Sequence, residues 1–409
     1  MNLDKKVPEI RFAGFGGKWD KKELGTDVAD IIGGGTPSTS ISEFWNGDID
    51  WYSPTEIGDN VYAEGSQKKI TALGLKSSSA KILPAGRTVL FTSRAGIGDM
   101  AILARSGATN QGFQSFVIKE GFSPYFIYSS GKQIKEFALK HASGSTFLEI
   151  SGKQLGRMEI LIPCEKEQAT IGNYFQKLDS LINQHQQKHD KLSSLKKAML
   201  EKMFPKQGET VPEIRFKGFS GEWKEKELGT DVADIIGGGT PSTSISEFWN
   251  GDIDWYSPTE IGDNVYAEGS QKKITALGLN SSSAKVLPAG NTVLFTSRAG
   301  IGDMAILTKL GSTNQGFQSF VIKEGFSPYF IYSSGKQIKE FALKHASGST
   351  FLEISGKQLG RMKILIPCEK EQAAIGNYFQ KLDTLINQHQ QQLTKLNNIK
   401  QACLSKMFV

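Results

Sequence analysis

Two long segments carry apolar residues at alternating steps of four and three, the pattern of helices that pack along one side. They lie at about residues 165–204 and 369–407. Lys196 in the first segment and Lys400 in the second stand where the next apolar residue would fall. The pattern therefore predicts two coiled-coil helices. Their seam positions are Ile171, Phe175, Leu178, Ile182, His185, His189, Leu192, Met199 and Met203, and then Ile375, Phe379, Leu382, Ile386, His389, Leu393, Leu396, Cys403 and Met407.

Outside these helices the apolar runs are short and are bounded by turn residues, which is typical of strands. Such runs begin at Thr88, Met100, Phe113 and Glu159. The pair Ser123-Pro124 predicts the N-cap and first turn of a helix that continues to His141. This mixture of elements predicts an α+β domain.

The chain repeats itself at an offset of 204 residues, without a gap, from Val7 to Phe204. Of the 198 paired positions, 174 are identical, and residues 22–75 and 109–158 form unbroken identical blocks. A repeat of 20 to 50 residues would predict a solenoid or a propeller, whereas this period is the size of a domain. The sequence therefore predicts two copies of one module, each a globular domain followed by a helix.

The connection between the copies restricts how the helices can pair. A helix of about 40 residues is about 60 Å long, and a six-residue linker reaches only about 20 Å. A domain of this size is only about 40 Å across, so it does not bring the chain back along the helix. We therefore expect an antiparallel two-helix spacer with a globular domain at each end and a pseudo-twofold axis. The expected boundaries are 1–163 and 211–367 for the globular domains, 164–204 and 368–409 for the helices, and 205–210 for the linker.

Composition restricts the class of protein. The formal net charge of +6 permits a nucleic-acid partner but carries little weight alone. Cys164, Cys368 and Cys403 form neither a CxxC zinc pattern nor a disulfide framework, and we expect no metal and no cofactor. Apolar runs are too short to span a bilayer and the first residues lack a signal-peptide core, so we expect a cytoplasmic protein.

Two equal domains in inverted orientation match an inverted-repeat ligand, and DNA is the obvious ligand of that form. The sequence also resembles the specificity subunit of type I restriction-modification enzymes, over essentially the whole chain and in both copies. In the first copy the resemblance is carried by VPEIRF, Ile32-Gly-Gly-Gly-Thr-Pro-Ser, Trp45-Asn-Gly-Asp-Ile-Asp-Trp, Thr92-Ser-Arg-Ala, Thr109-Asn-Gln-Gly-Phe, Ala142-Ser-Gly-Ser-Thr-Phe and Ile162-Pro-Cys-Glu-Lys-Glu-Gln.

The resemblance implies two target-recognition domains that each bind one half of a bipartite site in double-stranded DNA, and helices that measure the gap. It implies as partners two modification (methyltransferase) subunits, and restriction (motor-nuclease) subunits in the full complex. Members of the family generally carry two different recognition domains. Because the domains of this chain are nearly identical, we expect the two half-sites to share one sequence in inverted orientation.

Candidate DNA contacts are polar and basic residues in predicted loops. The Gly33–Ser40 loop offers backbone NH groups and hydroxyls for phosphate. Asn and Gln amides can pair with adenine, and Arg with guanine or phosphate. A turn, a structural hydrogen bond or a surface ion pair would explain the same residues equally simply, and the nearby Trp45, Trp51 and Tyr52 are more typical of a core. The candidates are Thr36, Ser38, Thr39, Arg94, Asn110, Gln111, Ser143, Ser145, Thr146 and Lys153, with Thr240, Ser242, Thr243, Arg298, Asn314, Gln315, Ser347, Ser349, Thr350 and Lys357 in the second copy.

The sequence contains no methyltransferase tetrapeptide, Walker motif, HExxH or GxSxG, which predicts a non-catalytic subunit. Two other functions remain open at this point. One is a protein–protein scaffold whose twin domains bind two copies of a partner without any nucleic acid. The other is an autonomous nuclease or methyltransferase, which would act as the purified protein alone.

Overall fold

The computed structural model describes residues 7–58, 60–94, 96–144, 148–262, 264–298, 300–348 and 352–409. The chain divides into two compact units. Unit 1 comprises Met1–Gln186 with Gln391–Val409, and unit 2 comprises Gln187–Gln390. Each unit therefore combines the globular domain of one repeat with a helical segment of the other. No helix of the described ranges is both long enough and apolar enough to cross a membrane.

The strands of unit 1 form a five-stranded sheet of order β2-β9-β6-β7-β4, a three-stranded sheet of order β5-β3-β8, and the pair β1-β10. In the larger sheet β4 runs parallel to β7 and the other neighbours are antiparallel. The strands are β1 (Asp20–Glu23), β2 (Ala29–Gly33), β3 (Trp45–Tyr52), β4 (Tyr62–Ala63), β5 (Lys68–Ile70), β6 (Thr88–Phe91), β7 (Met100–Leu103), β8 (Gly107–Thr109), β9 (Gln114–Ile118) and β10 (Glu159–Ile162). The four strands predicted from the apolar runs correspond to β6, β7, β9 and β10.

Five α-helices begin in the first repeat, namely α1 (Ala72–Lys76), α2 (Pro124–Ser129), α3 (Gly131–His141), α4 (Gly152–Gly156) and α5 (Glu165–Lys202). The single helix expected from Ser123 to His141 is wrong in one respect, because it is broken at Ser130. There the Ser130 NH is shared between the carbonyls of Phe126 and Ile127, at 3.0 and 3.1 Å, and Gly131 starts a new helix. The hydroxyl of Ser123 caps α2 as predicted, accepting from the Phe126 NH at 3.3 Å.

The second repeat gives the same elements in the same order. Its strands are β11 (Lys224–Glu227), β12 (Ala233–Gly237), β13 (Trp249–Tyr256), β14 (Tyr266–Ala267), β15 (Lys272–Ile274), β16 (Thr292–Phe295), β17 (Met304–Leu307), β18 (Gly311–Thr313), β19 (Gln318–Ile322) and β20 (Lys363–Ile366). Its helices are α6 (Ala276–Asn280), α7 (Pro328–Ser333), α8 (Gly335–His345), α9 (Gly356–Gly360) and α10 (Glu369–Lys406).

A core of aliphatic and aromatic residues lies between the five-stranded sheet of unit 1 and its helices. Phe91 and Phe116 project from the sheet and are fully buried, while Phe126 from α2 and Phe175 from α5 cover them from the other side. A smaller cluster around Tyr52 and Leu90 lies on the opposite face of the sheet. The sheet is therefore buried on both faces, which holds the loops at its edges in place.

Residues 391–409 complete the core of unit 1, and we call them its docked segment. Phe408 packs against Trp19, Phe126 and Phe175, with ring centroids 6.3, 5.3 and 5.9 Å away. The docked segment runs antiparallel to the first half of α5, because Cys403 lies beside Tyr174 whereas Lys400 pairs with Asp179. The docked segment of unit 2, residues 187–204, packs antiparallel to α10 in the same way. The expected antiparallel pairing is thus confirmed within each unit.

A buried ion pair fixes the beginning of each module to its long helix. The guanidinium of Arg11 donates to both oxygens of Glu167, at 2.7 and 2.6 Å, and only 1% of the Glu167 side chain is exposed. The hydrogen bonds to Glu167 raise the pKa of Arg11 above its ordinary value. A helix macrodipole alone would account for an acidic residue in this first turn. The structure shows a specific bidentate partner instead, repeated by Arg215 and Glu371.

Candidate nucleic-acid interface

The glycine-rich loop after β2 is held in place by two tryptophans. The indole NH of Trp51 donates to the carbonyl of Gly35 at 2.8 Å, and that of Trp45 donates to the carbonyl of Ser38 at 3.1 Å. The two rings lie edge to face with centroids 5.1 Å apart. Trp51 is buried, so it is a core residue, as its sequence context suggested, whereas Trp45 is half-buried. Between these anchors the loop exposes Thr36, and Ser38 and Thr39 follow it at the surface.

A turn at residues 110–112 lies directly against this loop. The Gly35 NH donates to the carbonyl of Thr109 at 2.8 Å. A Cβ at Gly34 would overlap the carbonyl oxygen of Asn110, so glycine is required for this approach. The hydroxyl of Thr36 bonds to the side-chain carbonyl of Gln111. The sequence placed these residues 75 positions apart, and the fold brings them together at an exposed edge.

Asn110 is partly committed to the turn itself. Its side-chain oxygen accepts from the Gly112 NH at 2.7 Å, while its backbone NH donates to the carbonyl of Tyr52 at 3.0 Å. Bidentate pairing with adenine needs both the oxygen and the NH₂ group of an amide. The side-chain oxygen of Gln111 likewise accepts from Thr36, but Gln111 is exposed whereas Asn110 is half-buried, so Gln111 is the more accessible of the two amides.

The segment that carries Arg94 joins the same edge. The Ser93 NH donates to the carbonyl of Gly112 at 2.7 Å, which places Arg94 beside the turn. Arg94 forms an ion pair with Glu149 at 3.6 Å, and both side chains are about one-third to two-fifths exposed. Ser143 is exposed and pairs with Glu149 through two backbone hydrogen bonds of 3.0 Å. Arg94, Ser143 and Glu149 thus form one group.

Gln114 at the start of β9 connects the remaining candidate to this edge. Gly33 pairs with Gln114 in the sheet, and a Cβ on Gly152 would lie 2.6 Å from the Gln114 side-chain oxygen. Lys153 follows Gly152 and is exposed. The fold therefore places the glycine loop, the turn, the Arg94 segment and the start of α4 at one edge of the domain, which we call the polar edge. Ser145 and Thr146, with Ser349 and Thr350, lie outside the described residues.

The polar edge of unit 2 reproduces these contacts with the second copy of each residue. Thr240 bonds to Gln315, and the indole groups of Trp249 and Trp255 donate to Ser242 and Gly239 at 3.0 and 2.8 Å. Arg298 pairs with Glu353 through its Nε atom at 2.8 Å. Each candidate of the first copy and its counterpart are identical in type. The exposed members of this edge are Ser242, Thr243, Gln315, Ser347 and Lys357, with Thr240, Arg298 and Asn314 half-buried.

Tyr52 is a buried residue that contacts the turn of the polar edge through its backbone carbonyl. It is 1% exposed, and burial, followed by the nearby Asp50 carboxylate, raises its pKa to about 12. The phenol is therefore neutral and acts as packing under the turn. Within the described ranges the structure contains no group of three or more His, Cys, Asp or Glu side chains with the geometry to hold a metal ion. The chemistry of the edge is that of hydrogen bonding and charge.

Comparison with known proteins identifies the family. The profile of the type I restriction modification DNA specificity domain matches residues 17–194 and again residues 220–398. The chain belongs to the family of type I restriction-modification specificity subunits. The chain is 26% identical over 413 residues to the type I restriction enzyme MjaIX specificity subunit of Methanocaldococcus jannaschii. The match covers 95% of this chain and 92% of the relative.

Two further similarities agree with this membership. The EcoR124I/EcoR124II specificity subunit of Escherichia coli is 34% identical over 183 residues, which cover 42% of this chain and 44% of the relative. The crystal structure of the type I S subunit from M. genitalium superposes with a TM-score of 0.60 at 16% identity, covering 98% of this chain and 99% of the other. This last similarity shows the fold.

The function follows from the family. This specificity subunit supplies DNA sequence specificity to a type I restriction-modification enzyme, as a component that is not itself catalytic. Of the functions left open by the sequence, the DNA-binding one is therefore the function of the chain. The protein–protein scaffold without nucleic acid and the autonomous enzyme are not supported.

The sequence reasoning missed one residue of the polar edge and one irregularity in β3. Glu149 was not singled out, because nothing local marks a glutamate 55 positions away as the partner of Arg94. Asn46 adopts a positive φ of 61° where the register of β3 and β5 shifts, and its copy Asn250 has a φ of 60°. The dipeptide Asn46-Gly47 is a local signal for such a conformation, and it could have identified the irregularity beside Trp45.

Proposed function

We propose that the two polar edges bind the two halves of a bipartite, palindromic DNA site. The observation that carries this proposal is the equivalence of the edges. All 24 positions at which the repeats differ lie outside the candidate residues, and the contacts that position the candidates recur in both units. Two equal surfaces on one chain bind an inverted repeat most simply.

Within each edge we assign different roles to different residues. Gln111 and Arg94 are the proposed base readers, since a Gln amide pairs with adenine and an Arg fork with guanine. Thr36 orients the Gln111 amide through its hydroxyl. The proposed phosphate contacts, which position the domain without reading sequence, are Ser38, Thr39, Ser143, Ser145, Thr146 and Lys153, with their copies Ser242, Thr243, Ser347, Ser349, Thr350 and Lys357.

The proposed assembly follows the family resemblance. Two modification subunits methylate the DNA that the specificity subunit selects, and restriction subunits join them to cleave unmodified DNA. We propose the domain boundaries 1–163 and 211–367 for the two recognition domains, with the intervening helices as the spacer between half-sites. Its DNA target places the proposed complex in the cytoplasm.

The test is to co-express the full chain with its modification subunits and to map methylated positions by long-read sequencing. We expect one motif whose two halves are inverted copies of each other, separated by a fixed number of unread base pairs. Two unlike half-sites would overturn the palindromic proposal. As a control for the edge, substitution of Lys21, which pairs with Glu159 on the separate β1-β10 sheet, should leave the motif unchanged.

A second measurement tests direct contact with the duplex. The logarithm of the affinity of the assembled methyltransferase for DNA should fall linearly with the logarithm of the salt concentration. Removing a phosphate contact such as Lys153 should reduce that slope by about one. A slope that Lys153→Gln leaves unchanged would remove Lys153 from the interface.

A further inference from the structure

An ion pair joins each docked segment to its long helix. In unit 1 the ammonium group of Lys400 lies 2.5 Å from a carboxylate oxygen of Asp179. The Asp179 side chain is only 8% exposed and that of Lys400 is 23% exposed. Leu396, Leu404 and the half-buried Cys403 of the same docked segment pack against the core of unit 1. Lys400 is the residue that stands in the gap of the predicted seam.

The second oxygen of the same carboxylate is also occupied. The phenol of Tyr125, from α2 of the globular domain, donates to Asp179 at 2.6 Å. One carboxylate thus joins three elements, namely the long helix, the globular domain and the docked segment. Unit 2 repeats the arrangement, with Lys196 at 2.5 Å and Tyr329 at 2.6 Å from the carboxylate of Asp383.

The lysine of each pair comes from the other repeat. Lys400 belongs to the second repeat and pairs with Asp179 of the first, and Lys196 of the first repeat pairs with Asp383 of the second. The seam positions on either side recur every seven residues, so the heptad pattern alone does not distinguish registers one heptad apart. The docking of Phe408 in the core of unit 1 is a second contact that does. After a shift by one heptad Asp179 would face Leu393 or Met407. The buried carboxylate would then keep only its bond from Tyr125, and the half-buried ammonium group would lose its partner, which is unfavourable.

The differences between the two copies distinguish the paired lysines from the residues next to them. Residues 188–201 hold nine of the 24 differences between the repeats, the largest group in the chain. Lys196 and Lys400 are nevertheless the same residue, whereas the next position is Lys197 in one copy and Gln401 in the other. Lys197 is exposed and Lys196 is half-buried. The exposed residue at position 197 therefore differs between the copies, whereas the paired lysine does not.

We infer that Lys196 and Lys400 are positioning residues that select one register of each docked segment, and that this register sets the spacing between the two DNA half-sites. The inference rests on the proposed bipartite reading of DNA. A shift of one heptad displaces a helix by about 10 Å, which corresponds to about three base pairs of duplex. The lysine–aspartate pairs thus act on specificity without touching DNA.

The experiment uses the full chain co-expressed with its modification subunits, with long-read mapping of the methylated motif. In the Lys196→Met, Lys400→Met double variant, discrimination between registers should fall by about a hundredfold. We expect methylation at the original half-sites with spacers altered by about three base pairs, in addition to the original spacer. The exposed neighbour provides the matched control, since Lys197→Met should retain the original spacer alone.

A merely stabilising role predicts a different result, namely less methylation at one unchanged spacer. A double variant that is folded by circular dichroism and methylates only the original spacing would overturn the inference. If that variant does not fold, Lys400→Met with Asp179→Leu and Lys196→Met with Asp383→Leu remove both charges of each pair, a replacement that buried ion pairs commonly tolerate. This variant should fold and show the additional spacers, and a single spacer would again overturn the inference. Unlike half-sites in the unmodified protein would refute only the palindrome, because the spacer is measured separately.

Discussion

At the residue scale, Glu149 determines how the guanidinium of Arg94 is held when no DNA is bound. The two side chains form an ion pair at 3.6 Å, and the equivalent Arg298–Glu353 pair uses a different guanidinium atom at 2.8 Å. Both pairs are partly exposed, so each is weak and can be exchanged for another partner. A DNA phosphate or a guanine can replace the carboxylate. Glu149 then competes with every duplex, whatever its sequence.

We therefore predict that Glu149→Gln combined with Glu353→Gln strengthens binding to arbitrary duplex DNA. The expected gain is about 1.4- to fivefold per unit, as an exposed ion pair contributes about 0.2–1 kcal/mol. Filter binding or fluorescence anisotropy at fixed salt would measure it. Glu159→Gln is the matched control, because Glu159 is an exposed partner of Lys21 outside the polar edge. Weaker binding in the double variant, or an equal gain in the control, would contradict the prediction.

Local sequence could identify the chemistry of these residues but not their partners. The Asn110-Gln111 pair was a reasonable candidate for base recognition, and its amides lie at the polar edge. Whether each amide was available depended on contacts with Gly112 and Thr36, of which the second is 75 positions away. The Arg11–Glu167 pair spans 156 positions. Such contacts depend on tertiary structure, which one sequence with local periodicity does not specify.

At the scale of elements, each globular domain is completed by the last turns of a helix from the other repeat. Phe408 fills an aromatic cluster in unit 1, and Phe204 fills the equivalent cluster in unit 2 beside Trp223 and Phe330. The heptad pattern predicted these helices and their antiparallel pairing, because spacing and linker reach are visible in the sequence. It did not predict that the ends of the helices enter the domain cores, since the apolar residues of a seam and of a core look alike.

Phe408→Ala should therefore destabilise unit 1 and leave unit 2 unchanged, although Phe408 lies in the second repeat. Loss of this partly buried ring should cost about 2 kcal/mol. Hydrogen exchange with mass spectrometry can separate the units, provided that the peptides include a position at which the repeats differ. Peptides containing Thr170 or Ser180 should exchange faster, and those containing Ala374 or Thr384 should not. Faster exchange around Phe379 rather than Phe175 would contradict this assignment.

Tyr125, which binds Asp179, makes the stability of unit 1 depend on pH. Burial, and then the hydrogen bond to Asp179, raise the pKa of Tyr125 well above its ordinary value, and Tyr329 behaves alike beside Asp383. A raised pKa in the folded state means that the contribution to stability is complete below pH of about 10, the pKa in the unfolded chain. It is then lost as the pH rises further.

Accordingly, the Tyr125→Phe, Tyr329→Phe variant should be less stable at pH 8 by about 1 kcal/mol per hydrogen bond. Its stability should then decline less steeply than that of the unmodified protein between pH 10 and about 11, because each buried tyrosine contributes a slope of up to about 1.4 kcal/mol per pH unit. Urea unfolding midpoints across this range provide the measurement. Tyr62→Phe is the control, since the Tyr62 hydroxyl accepts from Gln176 at the exposed surface. Parallel pH profiles would refute the assignment.

At the scale of the whole molecule, the duplication makes the two polar edges interchangeable. Arg94 and Arg298 follow the same strand, lie beside the same turn and pair with the same glutamate in their respective units. If the edges bind inverted copies of one half-site, each arginine contributes the same free energy to binding. Because the two arginines belong to separate units with no shared partner, their contributions should add.

We predict that Arg94→Ala and Arg298→Ala weaken binding of the assembled methyltransferase to its motif by the same factor. A charge-assisted hydrogen bond of about 1.5–3 kcal/mol corresponds to a loss of about ten- to a hundredfold. The double variant should lose the product of the two factors, and each single variant should relax recognition at the same base of one half-site. Dissociation constants on duplexes carrying one or two altered half-sites, at one salt concentration, would measure this. Unequal single losses would contradict the equivalence of the two edges.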